Sequence, residues 1–217
     1  GGFTTDGNIF VDEAAHRGAV AVVSENPCPK GFGATWIQVA DIRDALPAAA
    51  KSFYANPDET LKTFGITGTN GKTSVSWMLQ TILNALGEKC GVIGTIHYDL
   101  GGRCLPASRT TPDALELHAM LNQMRNASCR AAAMEISSHS IAQKRVKGVH
   151  LDCACFLNLT QDHMDYHKTM ESYFETKASM FTGALGALPK NAVLNFDDPH
   201  GREIAKRLDP SVKAVGF

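Results

Sequence analysis

The chain of 217 residues is 44% hydrophobic and 20% charged, the balance of an ordinary globular protein of one or two domains, which excludes a disordered chain. Its 21 basic and 22 acidic side chains leave a net charge of −1; with no basic run and no basic residues interleaved with aromatics, nucleic acid is excluded as the expected partner. No apolar stretch approaches the roughly 18 uninterrupted residues of a membrane span and no signal-peptide pattern opens the sequence, so a cytoplasmic protein without membrane insertion is expected.

Residues 8–18 read as a helix burying Ile9, Phe10 and Ala14, followed by a strand over 19–23 and a Pro/Gly-rich turn over 26–33. A short strand over 36–39 and an alanine-rich helix over 42–54 come next. That helix ends near the turn residues Asn56-Pro57-Asp58, which mark a domain boundary between 1–58 and 59–217. The six cysteines, Cys28, Cys90, Cys104, Cys129, Cys153 and Cys155, contain no Cys-x-x-Cys pair. Cys153 and Cys155 fall on one face of a strand, where direct bridging is disfavoured, so buried reduced thiols are expected. The sequence lacks an initiator methionine, starts at Gly1-Gly2 and stops at Phe217 after an apolar segment, as a piece of a longer protein would.

The most informative stretch is Gly65-Ile66-Thr67-Gly68-Thr69-Asn70-Gly71-Lys72-Thr73. Residues 61–67 are rich in apolar and β-branched side chains, as in a strand. Beyond the loop, Val75, Met78, Leu79, Ile82, Leu83 and Leu86 recur at helical spacing and Gly87 supplies a stop. A strand, a glycine turn and a helix N-terminus together aim N–H donors at a polyphosphate. Lys72 adds a mobile positive charge, and Thr73 offers a hydroxyl to Mg²⁺. The usual pattern has a glycine five residues before the Gly-Lys pair; here that position is Ile66, leaving the shorter Gly68-x-x-Gly71-Lys72-Thr73.

Downstream, strands and helices alternate. Strands are expected over 90–96, 131–136, 153–159 and 192–196, and helices over 112–126 (Thr111 as N-cap; Leu115, Leu117, Met120, Leu121 and Met124 apolar), 140–146, 171–181 and 199–208. This implies an α/β fold with a mostly parallel sheet covered by helices on both faces. Ligands of such sheets gather at the carboxyl ends of the strands. Three polar clusters fall there: Arg109-Thr110-Thr111, Met134-Glu135-Ile136-Ser137-Ser138-His139, and Asn158 through His167. A carboxylate such as Glu135 beside a phosphate loop suits Mg²⁺, which prefers hard oxygen ligands. His163 and His167 have the i, i+4 spacing of a zinc pair but lack the accompanying Glu motif, so zinc is not expected.

The motifs Gly68-Thr-Asn-Gly-Lys-Thr73, Thr110-Thr111-Pro112, Met134-Glu-Ile-Ser-Ser-His139 and Asn158-Leu-Thr-Gln-Asp-His-Met-Asp-Tyr-His167, followed by Lys177, jointly resemble the Mur ligases of peptidoglycan synthesis. The closest resemblance is to the branch that adds the third amino acid of the stem peptide. Thr5-Asp6-Gly7 and residues 17–23 extend it, resembling the end of that family's uridine-binding N-terminal domain, with 59–217 as part of a central ATP-binding domain.

The resemblance implies an ATP-dependent amide ligase that joins meso-diaminopimelate or L-lysine to UDP-N-acetylmuramoyl-L-Ala-D-Glu through an acyl phosphate. It implies that Gly68, Thr69, Asn70, Gly71, Lys72, Thr73 and Ser74 hold ATP, and that Arg109 (Asn in some relatives), Thr110, Thr111, Ser137, Gln143 and Arg145 bind the UDP-muramoyl dipeptide. Thr73, Glu135, His163 and Lys177 match metal positions, with Lys177 carbamylated; Lys72, Glu135, His163 and Lys177 form the catalytic set. A monomer is expected. Because that family's third domain would follow Phe217, the chain as given is expected to bind nucleotide without turning over. Two alternatives stay open: a sister ligase of the folylpolyglutamate or cyanophycin synthetase type, and a non-catalytic nucleotide-binding module.

Overall fold

The computed structural model describes residues 6–217; Thr5, which opens the Thr5-Asp6-Gly7 motif, lies outside them. The chain divides into two compact units, Gly1–Leu46 and Pro47–Phe217. In the first, a 3₁₀ turn (Gly7–Phe10) leads into α1 (Val11–His16), followed by the parallel pair β1 (Ala21–Ser24) and β2 (Thr35–Gln38). The expected burial of Ile9 and Phe10 is corrected: both are exposed, at 69% and 51%. Asp6 caps the turn by accepting from Asn8 N, and neither the turn nor α1 holds a buried residue, Ala14 being only partly covered.

The division falls inside α2 (Ile42–Phe53). Its later residues pack with the second unit, where Lys51 Nζ donates to Asp58 Oδ2 (2.9 Å) and to Gly148 O (3.0 Å).

The second unit is built on an eight-stranded sheet. In chain order the strands are β3 (Lys62–Thr67), β4 (Cys90–Ile93), β5 (His97–Asp99), β6 (Cys104–Pro106), β7 (Ala131–Glu135), β8 (Cys153–Phe156), β9 (Asn191–Leu194) and β10 (Lys213–Gly216). They lie side by side as β10-β9-β8-β3-β7-β4-β5-β6. Six are parallel, and β5 and β6 extend the β4 edge antiparallel. The helices are α3 (Lys72–Ala85), α4 (Ala114–Asn126), α5 (Ser138–Ala142), α6 (Met164–His167), α7 (Met170–Ala178) and α8 (Pro199–Lys206). No helix among the described residues is long and apolar enough to cross a membrane.

Both sheet faces are covered, as the unbroken apolar run in β7 requires. Ala131 and Ala133 face Val75, Leu79 and Leu83 of α3, while Ala132 and Met134 join the larger core with Leu117, Leu121 and Met124 of α4 and Tyr173 of α7. Met78, Ile82 and Leu86 of the α3 stripe point outward instead. The expected N-cap of α4 is also corrected: Asp113 caps it, accepting from Glu116 N. Thr111 is unavailable because its hydroxyl is spent on Glu135. The six cysteines are free thiols, but the expected burial is corrected: only Cys90 and Cys129 are buried, Cys153 and Cys155 are partly covered, and Cys28 and Cys104 are exposed. Loss of solvent around the thiol pushes Cys90 and Cys155 up to about 12.

Register fixes where the site forms. Ile66 pairs with Glu135, and Thr67 with Phe156, so the loops leaving β3, β7 and β8 start at one level on the carboxyl edge of the sheet.

Candidate active site

The loop after β3 turns on two glycines. Gly71 adopts φ +88°, a region L side chains avoid, and a Cβ on Gly68 would come within 2.9 Å of Leu157 Cβ. Asn158, at the end of β8, clamps the loop from outside: its Oδ1 accepts from Asn70 N (2.9 Å) and its Nδ2 donates to Asn70 O (3.2 Å). Thr69 N donates to Asn158 O (3.0 Å), and Thr69 Oγ1 meets Thr160 N (3.0 Å) and Tyr173 OH (3.3 Å). The loop is thereby ordered before any ligand arrives, ahead of the α3 N-terminus with its free N–H groups.

Two lysines converge on this loop. Lys72 Nζ donates to the carbonyls of Gly68 and Thr69 (both 2.9 Å), and Lys177 Nζ, from the buried side of α7, donates to the same Gly68 O (3.0 Å). Lys177 is 1% exposed, packs 4.7 Å from the Tyr173 ring centroid, and burial together with the Lys72 charge brings its ammonium down to about 7. Burial lowers Lys72 as well, opposed by the charges of Glu135 and Asp162. The Lys72 charge beside the α3 N-terminus makes a site that wants an anion.

Glu135 ends β7 wholly buried and is held on both oxygens. Thr73 Oγ1 and Thr95 Oγ1 each donate to Oε2 (2.9 Å), and Thr95 N donates to Oε1 (3.0 Å). Gly94 makes the room: a Cβ there would overlap Oε1. Thr95 Oγ1 also lies 3.1 Å from Thr110 Oγ1. Thr111 Oγ1 donates to Glu135 O (2.7 Å) and accepts from Ser137 N (3.1 Å); Arg145 Nη1 donates to Thr111 O (3.0 Å), and its other nitrogens donate to Gln143 Oε1. The sequence-predicted set Thr110, Thr111, Ser137, Gln143 and Arg145 is therefore one connected patch beside Glu135. Arg109 is exposed at its margin, and Ser74 is exposed on the first turn of α3.

The histidines form a separate wall. His139 meets His163 edge-to-face (4.7 Å between ring centroids) and Tyr166 at a tilt (4.3 Å), and His167 lies 4.9 Å from Tyr173. His163 and His167 do not act as a pair: His167 is buried with Nε2 2.9 Å from Ser138 Oγ, whereas His163 is exposed at φ +54°. No group of three or more metal-ligating side chains is assembled among the described residues. The Thr73 hydroxyl and the Glu135 carboxylate are nonetheless hard oxygen donors beside the glycine loop, a pairing that suits Mg²⁺ over a soft metal.

Gly94, Thr95, Asn158 and Ser138 carry much of this geometry without a role foreseen for them. Asn158 and Ser138 sat inside recognised motifs. Gly94-Thr95 follows a strand and had no chemical signal apart from position.

A model of the Mur ligase middle domain matches residues 66–217. The chain belongs to the Mur ligase family. It is 42% identical, over its whole length, to a UDP-N-acetylmuramoyl-L-alanyl-D-glutamate–2,6-diaminopimelate ligase of Geobacter metallireducens, and 45% identical over 94% of its length to the ligase of that name from Solibacter usitatus. It spans 43% and 41% of those proteins. A solved structure of a ligase with that name superposes with a TM-score of 0.79 at 31% identity, over 96% of this chain and 42% of that one. The α/β architecture is thus that of a Mur ligase middle domain, with the glycine loop at the end of its inner strand β3.

Proposed function

We propose that the protein this chain represents is an ATP-dependent ligase that adds 2,6-diaminopimelate to UDP-N-acetylmuramoyl-L-Ala-D-Glu. The observation that carries the reading is the convergence of Lys72 and Lys177 on the Gly68 carbonyl, 2.9 and 3.0 Å away, beside a buried carboxylate hydrogen-bonded to Thr73. The choice of diaminopimelate over lysine follows the names of the relatives. Residues 1–58 are read as the end of a uridine-binding domain and 59–217 as part of the central ATP-binding domain.

Gly68 to Ser74 cradle the ATP phosphates, and Lys72 exchanges its loop carbonyls for the transferring group. Arg109, Thr110, Thr111, Ser137, Gln143 and Arg145 hold the dipeptide end of the acceptor. The D-Glu carboxylate attacks the γ-phosphorus and ADP leaves, giving an acyl phosphate. The diaminopimelate amine then adds to that carbonyl, loses a proton, and the tetrahedral intermediate expels phosphate. Because phosphoryl transfer needs little covalent help, position and charge neutralisation supply most of the acceleration.

Thr73, Glu135, His163 and Lys177 are the proposed metal positions; Mg²⁺ there would neutralise charge on the phosphates. The role of Lys177 requires carbamylation. Its neutral amine, accessible near pH 7 because burial and Lys72 disfavour the ammonium, can add to CO₂ and so replace a buried cation with an anion that a metal tolerates.

The test is phosphate release by the full-length protein from Mg-ATP, with the UDP-dipeptide and one amino acid at a time. Release that needs both the dipeptide and diaminopimelate is expected; release with folate and glutamate instead would assign a sister ligase. A carbamate resonance on Lys177 from ¹³CO₂ tests the modification separately.

A further inference from the structure

We propose that Tyr98 is a positioning residue of the acceptor site, its buried hydroxyl locking the main chain of Arg109 and so presenting Arg109, Thr110 and Thr111 to the UDP-muramoyl dipeptide. The proposal rests on the ligase reading for the identity of that ligand. Tyr98 is 3% exposed and sits in the middle of β5, paired with Leu105 of β6. Its OH accepts from Arg109 N (3.0 Å) and donates to Arg109 O (2.5 Å), so one phenol holds both polar main-chain groups of a single residue.

The next two residues are tied to the same neighbourhood. Thr110 Oγ1 meets Thr95 Oγ1 at 3.1 Å, and Thr111 is held by Glu135 O, Ser137 N and Arg145. Residues 94–98 therefore act as a bracket, joined to the nucleotide side through Thr95 and Glu135 and to the acceptor side through Thr95 and Tyr98. Arg109 itself is exposed. Its side chain has no burial to orient it, so its direction depends on a main chain that Tyr98 fixes. A segment ordered beforehand loses less entropy on binding, and that gain shows as acceptor affinity. This also gives the antiparallel β5–β6 extension a task in the parallel sheet: it delivers the chain from the end of β4 back to Glu135.

The experiment compares wild-type full-length protein with Tyr98→Phe, which removes one oxygen and keeps the packed ring. KM for UDP-N-acetylmuramoyl-L-Ala-D-Glu is expected to rise about tenfold, the size of one lost hydrogen-bond anchor, with kcat within about twofold and KM for ATP unchanged. A lowered melting temperature with both KM values unchanged would mean that the hydroxyl serves stability alone, and would overturn the proposal. If Tyr98→Phe does not fold, amide hydrogen exchange of the wild-type protein carries the test: the Arg109 N–H, donated to the buried Tyr98 hydroxyl, is expected to be protected although Arg109 is exposed, and an Arg109 amide that exchanges as fast as an open loop would overturn the proposal. Wild-type protein that never turns over the dipeptide would instead remove the ligase reading, and the proposal with it, before any variant is compared.

Discussion

Lys72 and Lys177 show how much chemistry a single carbonyl can organise. Both side-chain nitrogens donate to Gly68 O, and among the described residues neither has a carboxylate within hydrogen-bond range. In the proposed ligase Lys72 meets the transferring phosphoryl group, and Lys72→Ala is expected to lower the phosphate-release rate by about 10²–10³, or ~2.7–4 kcal/mol, as for the loss of one preorganised donor; unchanged thermal unfolding would show that the fold is intact. Lys177 leaves a signature in stability. Its folded-state value of about 7 lies below the 10.5 of a free lysine, chiefly from burial and then from the Lys72 charge. Between those values the unfolded chain holds more protons, so the destabilisation Lys177 imposes is complete below pH 7 and fades as pH rises toward 10.5. Urea midpoints of the unmodified protein should climb through that window, and Lys177→Met should flatten the climb.

At the level of elements, the site depends on strand ends brought level and on turns that leave room. Gly94→Ala is expected to push the Glu135 carboxylate off its Thr73 and Thr95 donors, weakening Mg-ATP binding by roughly tenfold if about one hydrogen bond's worth of alignment is lost; calorimetric titration measures it, and unaltered affinity would mean that Glu135 can shift without consequence. Asp113→Ala removes the α4 cap and should cost ~1 kcal/mol in urea unfolding. Thr111→Ala should disturb the acceptor patch and leave that cap intact.

The same elements mark what could be read in advance. The glycine loop between β3 and α3 was legible because strand, glycine turn and helix agree locally, and the place of Glu135 because it ends a wholly apolar run. The β5–β6 hairpin was not legible: three-residue strands carry no period, and their partners are fixed by the sheet edge they join. Thr111 was misjudged for a related reason, since its place in sequence suits a cap while the Glu135 carbonyl, 24 residues away, takes its hydroxyl.

Across the whole molecule, the carboxyl edge of the sheet carries the candidate site, while the opposite end carries structure. There Asp58, fully buried, accepts from Lys51 Nζ and from His150 N (2.7 Å), closing the entry to β3. His118 of α4 is equally buried, with neither ring nitrogen hydrogen-bonded among the described residues, and burial lowers its pKa against the pull of Asp58. Below about pH 6.5 the unfolded chain takes up a proton that the folded one resists, so stability should fall as pH drops through that range. His118→Met should blunt the acid loss of melting temperature; an identical profile would show that other groups govern it. Neither of the two compact units spans what the relatives contain, as the chain covers about two fifths of their length, so tests of turnover belong to the full-length protein.

In the proposed ligase the carboxylate of the acceptor, and no other nucleophile, takes the γ-phosphoryl group at the Lys72 loop. The most direct measurement gives the full-length protein Mg-ATP, diaminopimelate and UDP-N-acetylmuramoyl-L-Ala-D-Glu with ¹⁸O in the D-Glu carboxylate, and analyses the released phosphate by mass. One ¹⁸O per phosphate in step with amide formed is predicted by the acyl-phosphate route. Phosphate without label, from a protein that still consumes ATP, would mean that water or another group is the acceptor and would contradict the account.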